Sequence, residues 1–256
     1  MRVGLFLIGD ELLLGKRQDK HLARVVEMLH ARGMQLHWVE MLPDDTHGIA
    51  EAIVRRRGDL VLSCGGIGAT PDDCTRQAAA LAFDRPLDRH PEAEGFIVEQ
   101  YGQRAYPNRV LMADFPQGAG LIPNPVNRVA GFFMEDQHFV PGFPNMAWPM
   151  LEWVLDSRYS ALHRTDPDVE YSMRAIGSAS EGDLLQIMQA LLQKFEPVKL
   201  SCLPFRGSQN QPRHIEFGVR GARENAEAAY HWLWAALKSR KELKLEALHA
   251  PPTSSA

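Results

Sequence analysis

The chain has 256 residues, of which 45% are apolar and 23% charged, and its net charge is −4. These values are typical of a globular protein of one or two domains, and a negative net charge disfavours general binding to nucleic acid. No apolar stretch is long enough to span a bilayer, and three cysteines without paired spacing favour a reducing compartment. We therefore expect a cytoplasmic protein with neither a membrane nor a nucleic-acid partner.

The first 90 residues alternate between apolar strands and amphipathic helices. Strands are predicted at 3–8, 35–41 and 59–63, and apolar residues between them recur at helical spacing. Such alternation is typical of a mostly parallel sheet with helices on both faces. The sequence therefore predicts a three-layer α/β/α domain whose ligands bind at the carboxyl ends of the strands.

A second pattern begins near Val169, after a helix predicted at 91–101, a proline-rich irregular stretch at 105–130, a hairpin and a helix ending near Tyr159. It reads strand, helix, strand, strand, helix, which indicates a small α+β unit. We expect the first domain at 1–162, the small domain at 168–245 and a disordered tail at 246–256.

The glycine-rich segment after the third strand is the strongest candidate site. Gly65, Gly66 and Gly68 allow a tight turn that presents backbone N–H groups to an anion, and a helix begins directly afterwards. Asp72 and Asp73 beside such an anion site indicate a divalent cation between acid and phosphate. For the glycines the alternative is a strand-to-helix turn without a ligand. We expect Asp72 or Asp73 to cap the next helix while the other faces solvent and a Mg²⁺ ion.

The first strand ends in Gly9-Asp10-Glu11, at the same predicted edge of the sheet as the glycine-rich segment. Ligands of open α/β sheets bind at this edge. Asp10 or Glu11 could reach a ligand held by the glycines, or could simply form a polar turn.

These motifs, with Asn124-Pro125 and Pro141-Gly142-x-Pro144, together resemble the molybdopterin-binding domain family of molybdenum cofactor biosynthesis. The version that they resemble is the one found at the N-terminus of CinA competence/damage-inducible proteins. The resemblance covers about residues 2–165, and the small unit resembles the KH-like middle domain of CinA. No Gly-x-x-Gly loop follows the first helix of that unit, which disfavours RNA binding.

The resemblance implies a pocket for a phosphorylated pterin or a pyrophosphate-containing nucleotide, and the paired acids beside the glycines add Mg²⁺ as the expected cofactor. Asp73 corresponds to the family's functional acid, and the two adjacent acids, Asp72 and Asp73, are the residues that we expect to hold the metal. CinA-like members have been assigned pyrophosphate hydrolysis of ADP-ribose, and family relatives form dimers or trimers, of which we expect a homodimer. The ligand and phosphate contacts implied are Asp10, Glu11, Gly65, Gly66, Gly68, Thr70, Thr75, Asn124, Pro141 and Gly142.

Four segments depart from the family pattern. Ala69 stands where the family has proline, Met146 replaces glutamate, and Asp19-Lys20-His21 and Asn127-Arg128-Val129 replace Asp-Thr-Asn and Gly-Thr-Ala. The glycine-rich segment is retained while its surroundings differ, so binding is better supported than hydrolysis. His21 replaces a family asparagine near the pocket and could touch the ligand, although we expect a surface position. Lys16 and Arg128 could either neutralise phosphate or face solvent.

Three functions are compatible with these features. The first is a Mg²⁺-dependent nucleotide pyrophosphatase or phosphoryl transferase, and the second is a protein that binds pterin or nucleotide without chemistry. The third is an assembly partner of a separate protein that supplies the amidase activity found in many CinA proteins.

Overall fold

The structure, a computed structural model, describes residues 1–208 and 210–252. It divides into two compact units, one spanning Met1–Arg164 and the other beginning at Thr165. None of the helices within the described residues is both long and apolar enough to cross a bilayer. The elements of the first unit are β1 (Val3–Ile8), α1 (Asp10–Leu13), α2 (His21–Ala31), β2 (Trp38–Leu42), α3 (Thr46–Arg55), β3 (Leu60–Cys64), α4 (Thr75–Phe83), β4 (Leu87–Arg89), α5 (Pro91–Tyr101), β5 (Asp114–Pro116), β6 (Gly120–Ile122), β7 (Gly131–Met134), β8 (Gln137–Val140) and α6 (Pro144–Arg158).

The main sheet has six strands in the order β2-β1-β3-β8-β7-β6. Strands β2, β1, β3 and β8 are parallel, whereas β7 and β6 join as antiparallel neighbours. The predicted mostly parallel sheet is confirmed. Its four parallel strands end at the same edge, which is where a ligand site is expected.

The two faces of this sheet carry separate cores, which follow from the alternation of side chains along each strand. Val3, Leu5 and Leu7 of β1 pack with α2 and α6 on one face. Phe6 and Ile8 point to the other face and pack with α3, α4 and α5. The three-layer α/β/α arrangement predicted from the sequence is therefore confirmed.

The segment 105–130, predicted to be irregular, contains short regular elements. Two 3-10 turns span Gly102–Ala105 and Arg109–Ala113, β5 pairs with β4, and β6 extends the main sheet beside β7. Strands of three residues bury too few side chains to show a clear period of two. Prolines at 107, 116, 123 and 125 obscured the rest of the pattern.

The second unit consists of a four-stranded antiparallel sheet in the order β10-β11-β9-β12 and two helices. Its core joins buried residues of β9 and β11 to those of both helices, such as Phe217 of β11 and Leu233 of the last helix. The predicted α+β unit is confirmed. Its elements are β9 (Val169–Gly177), α7 (Glu181–Lys194), β10 (Lys199–Phe205), β11 (His214–Gly221), α8 (Arg223–Lys238) and β12 (Leu243–His249).

The predicted tail at 246–256 begins too early. Residues up to His249 belong to β12, which pairs antiparallel with β9. Leu243, Leu245 and Ala247 do alternate with polar residues, but a short edge strand with charged side chains resembles a solvated tail in sequence. Residues 253–256 of the predicted tail lie outside the described residues.

Candidate functional site

The carboxyl ends of the parallel strands open onto a cavity of about 630 Å³. The loops after β1 and β3 both line it, as the sequence predicted from their place in the fold. The residues that line it come from five parts of the chain: Ile8, Gly9, Glu11 and Arg17 at and after the end of β1; Asp44 after β2; residues 65–70, 72 and 73 after β3; Met112, Asn124, Asn127 and Val129 between α5 and β7; and Pro141, Gly142, Phe143 and Met146 after β8 and at the start of α6.

The glycine loop, which we define as residues 65–69, presents free backbone donors at this cavity. The N–H groups of Gly66, Ile67, Gly68 and Ala69 donate to no acceptor among the described residues. Gly65 differs, because its N–H donates to the carbonyl of Val140 at 3.0 Å. Successive free N–H groups in a turn form an anion-binding concavity, so the loop has the geometry of a phosphate site.

Two glycines of this loop are required by close contacts. Gly66 has a φ of +69°, and a Cβ there would lie 2.2 Å from the hydroxyl oxygen of Thr75. A Cβ at Gly68 would lie 2.4 Å from a carboxylate oxygen of Asp73. Any larger residue would therefore displace the groups that hold the loop against α4.

Asp73 belongs to the turn that follows the loop. Its Oδ2 accepts hydrogen bonds from the backbone N–H of Thr70 at 2.9 Å and from the Thr70 hydroxyl at 2.5 Å. The prediction that Asp72 or Asp73 caps the next helix is wrong, because α4 begins after Cys74 with no side-chain cap.

Two residues implied as ligand contacts do not line the cavity. Thr75 is fully buried, and its hydroxyl donates to the Gly65 carbonyl at 3.1 Å while its N–H donates to the Gly66 carbonyl at 3.0 Å. Asp10 is exposed, and its Oδ1 accepts from the N–H of Asp44 at 3.3 Å. Both residues instead shape the loops around the cavity.

Asn124 lines the cavity, but its side chain is already engaged. Its Nδ2 donates to Asn127 Oδ1 at 2.8 Å and to the Val129 carbonyl at 3.0 Å, and its Oδ1 accepts from the N–H of Val126. This local network holds the cavity wall. Ala69, Asn127, Val129 and Met146, four of the positions that depart from the family pattern, also line the cavity.

Asp44, which follows β2, is a cavity residue that the sequence analysis missed. The pKa of Asp44 is raised, mainly by burial. The hydrogen bond from the Asp10 N–H at 2.9 Å lowers the pKa, whereas the nearby carboxylates of Asp10, Glu11 and Asp72 raise it further. The sequence could have indicated Asp44 as a site residue, because it follows the carboxyl end of a predicted parallel strand. The cavity thus combines free N–H donors with several acids.

A metal held by protein groups alone does not fit this cavity. The described part of the chain contains no group of three or more His, Cys, Asp or Glu side chains arranged to hold a metal ion. Asp72 and Asp73 provide only two carboxylates, and one oxygen of Asp73 is occupied by Thr70. That donor set suits Mg²⁺ shared with ligand phosphates, because Mg²⁺ commonly binds one or two carboxylates together with phosphate.

Arg17, which the sequence analysis missed, lines the cavity, whereas its neighbour Lys16 is not among the lining residues in the described part of the chain. Its Nη1 lies 4.0 Å from Glu11 Oε1, and its side chain is well exposed. Arg128, considered for phosphate neutralisation, instead pairs with Glu99 and lies 5.0 Å from the centre of the Phe96 ring. Arg128 therefore has a structural partner away from the cavity.

His21 is buried, so the predicted surface position is wrong. Only 6% of it is exposed, and its Nε2 lies 3.2 Å from the carbonyl oxygen of Gly142. Burial lowers its pKa, with the Gly142 contact and Asp19 opposing. His21 lines a smaller cavity of about 420 Å³, and Glu11 and Gly142 line both this cavity and the main one. The side chain is buried because α2 begins at His21, next to the loop after β8 that contains Gly142.

The chain that forms this cavity is similar to several known proteins. The family described as "Probable molybdopterin binding domain" matches residues 4–161. A CinA-like protein from Citrifermentans bemidjiense is 32% identical over 220 residues, which cover 80% of this chain but 51% of that protein. The chain therefore spans about half the length of this relative. A protein from Pyrobaculum calidifontis is 28% identical over 93% of this chain and 94% of its own length.

The solved structure of the protein CinA from Thermoplasma acidophilum, described as of unknown function, has the same fold. It superposes with a TM-score of 0.56 at 26% identity and covers 61% of this chain and 98% of its own. On these matches the chain belongs to the molybdopterin-binding domain family, as a CinA-like member.

Proposed function

We propose that this protein binds a phosphorylated pterin or a nucleotide, with a phosphate group held by the glycine loop. The observation that carries the proposal is the run of free N–H groups from Gly66 to Ala69 at the cavity. A cavity of about 630 Å³ is within the range that small-molecule sites occupy, and its lining is mixed polar and apolar. The family description supports a pterin as one class of ligand.

Mg²⁺ belongs to this proposal because of the acids around the loop. Asp72, Asp44 and Glu11 line the same cavity as the N–H groups, and carboxylates alone would repel a phosphate. Asp72 and Asp73 would hold the ion together with the ligand's phosphates. When bound, the ion would neutralise charge on the phosphates and on any leaving group.

Hydrolysis of a pyrophosphate bond is the second candidate, and Asp44 is the observation that favours it. Titratable groups with perturbed pKa values in a cavity are frequent among catalytic acids and bases. The raised pKa of Asp44 makes this carboxyl a candidate to exchange a proton with water or a leaving group. Asp73, whose Oδ1 is free of Thr70, would orient water or the metal.

The variant Asp73→Asn distinguishes ligand binding alone from Mg²⁺-dependent hydrolysis of a pyrophosphate bond. The amide retains an acceptor for the Thr70 N–H but lacks the charge that attracts a cation. Without Mg²⁺, we expect the variant to bind pyrophosphate about as well as the wild type. With Mg²⁺, we expect its affinity for pyrophosphate to be at least about tenfold lower than that of the wild type. Calorimetric titration with ADP-ribose, ADP and pyrophosphate, with and without Mg²⁺, measures this, and phosphate release measures turnover.

The exposed Asp88→Asn is the matched control, since it makes the same chemical change away from the cavity. Unchanged Mg²⁺ dependence in Asp73→Asn would contradict the role of Asp73. Binding without turnover in the wild type would leave the protein as a ligand-binding protein. If no phosphorylated pterin or nucleotide binds the folded wild type, the proposed function is wrong.

A further inference from the structure

Arg76, in the first turn of α4, lies directly behind the glycine loop. It is only 4% exposed, which is unusual for an arginine. Its Nη2 donates to the Gly68 carbonyl at 2.6 Å, and its Nη1 donates to the Leu111 carbonyl and, at 3.5 Å, to that of Asp114. The guanidinium therefore ties the loop to the segment before β5.

The charge of Arg76 has no carboxylate in direct contact within the described residues. The Asp114 carboxylate pairs with Arg89, and Arg76 Nε is buried without a hydrogen-bond partner. Burial lowers the pKa of Arg76, and Asp114 and Asp73 oppose this from a distance. A buried cation without a paired anion is costly, so its environment favours negative charge placed nearby.

The bond to Gly68 also sets the direction of the next N–H group. The Gly68–Ala69 peptide is trans, so its C=O and N–H point in opposite directions. Because the Gly68 carbonyl points at Arg76, the Ala69 N–H points away from Arg76. Ala69 lines the cavity and its N–H has no acceptor among the residues described, so this donor is available to a ligand.

The other end of the loop is held independently. Thr75 binds the carbonyls of Gly65 and Gly66 through its hydroxyl and its N–H. Two adjacent residues of α4 thus hold separate halves of one loop. Loss of one anchor should disturb its own half of the loop first.

We propose that Arg76 is a positioning residue of the phosphate site. It orients the Ala69 N–H towards a bound phosphate and places a positive charge behind that half of the loop. The inference rests on the proposed function, since it assumes that the glycine loop binds phosphate. It goes further by assigning a role to a buried side chain that does not line the cavity.

The test uses the full chain, inorganic pyrophosphate as the probe, and the variants Arg76→Met and Arg76→Lys. Arg76→Met removes the charge and the hydrogen bonds, and we expect pyrophosphate affinity to fall by at least about tenfold. Arg76→Lys keeps the charge without the planar fork, so we expect an intermediate loss of about threefold. Amide NMR adds a local readout, in which the Ala69 signal should lose its response to pyrophosphate while the Gly66 signal keeps it.

Arg89→Met is the matched control, because Arg89 neighbours Asp114 but does not contact the glycine loop. It should bind pyrophosphate within about twofold of the wild type. The proposal is overturned if Arg76→Met binds as the wild type does, or if Gly66 and Ala69 lose their responses equally. If Arg76→Met does not fold, Arg76→Lys decides by the same Ala69 signal. If the wild type shows no response at either amide, the phosphate site itself is absent and both proposals fail.

Discussion

In the presence of Mg²⁺, Gly68→Ala is expected to weaken pyrophosphate binding by at least about tenfold, which corresponds to about 1.4 kcal/mol. The new Cβ would lie 2.4 Å from Asp73 Oδ2, a distance that real Cβ contacts do not reach. Asp73 must then move, which frees the Thr70 N–H and separates the acid from the loop. Calorimetric titration with pyrophosphate measures the loss.

The free energy of unfolding of Gly68→Ala should fall by only about 1 kcal/mol, because the displaced carboxylate can move towards solvent. Gly95→Ala is the control. Gly95 lies in α5, and an added Cβ would meet no atom within 4 Å. That variant should keep full affinity and gain about 0.5–1 kcal/mol of stability, since alanine suits a helix interior better. Wild-type affinity in Gly68→Ala would refute the assignment of the loop contacts.

His138 should make the stability of the first unit depend on pH. It is fully buried in β8, where burial lowers its pKa to about 4 from the ordinary 6.5. The folded protein therefore keeps His138 neutral at a pH where the unfolded chain binds a proton. The free energy of unfolding should decrease as pH falls from about 6.5 to about 4, by about 3 kcal/mol in total.

The neutral ring is specified by its contacts. Arg158 Nε donates to His138 Nε2 at 3.3 Å, so Nδ1 carries the hydrogen that is donated to the Val61 carbonyl at 3.1 Å. His138→Gln keeps a donor but does not titrate. The difference in unfolding free energy between wild type and variant should therefore shrink as pH falls from 7 to 4.

Urea unfolding followed by hydrogen exchange of peptides from the first unit measures this difference. The exposed His30→Gln is the control and should follow the wild-type pH profile. Other groups also contribute, such as Glu40, where burial raises the pKa but hydrogen bonds and charge from Arg56 and Arg55 together outweigh it and lower the pKa. Because they are common to both proteins, they cancel in the comparison. A pH-independent difference between wild type and His138→Gln would exclude the proposed titration.

Much of the fold could be predicted because its signals are local. The apolar run of β1, the helical stripe of α2 and the glycines after β3 each lie within about ten residues, and the order of strands and helices limits the topology to few choices. The short strands β5 and β6 and the edge strand β12 were not predicted. Their residues pair with distant segments, and their own patterns are too brief to show that pairing.

The candidate site divides in the same way. Gly66, Gly68 and Asp73 were predicted because a tight turn and an adjacent acid are visible in neighbouring residues. Asp44 and Arg17 were missed because they reach the cavity from other loops. The spacing of residues along the sequence does not show which side chains from different loops point into the same cavity.

By itself, then, the sequence determined a mostly parallel α/β domain of this family with a glycine-rich loop after its third strand. Only the tertiary structure decided that Thr75 and Arg76 act from behind the loop and that His21 is buried. The reason is physical: glycine turns and hydrophobic periodicity are properties of adjacent residues. Burial, ion pairing and the direction of an N–H group depend on segments that folding brings together.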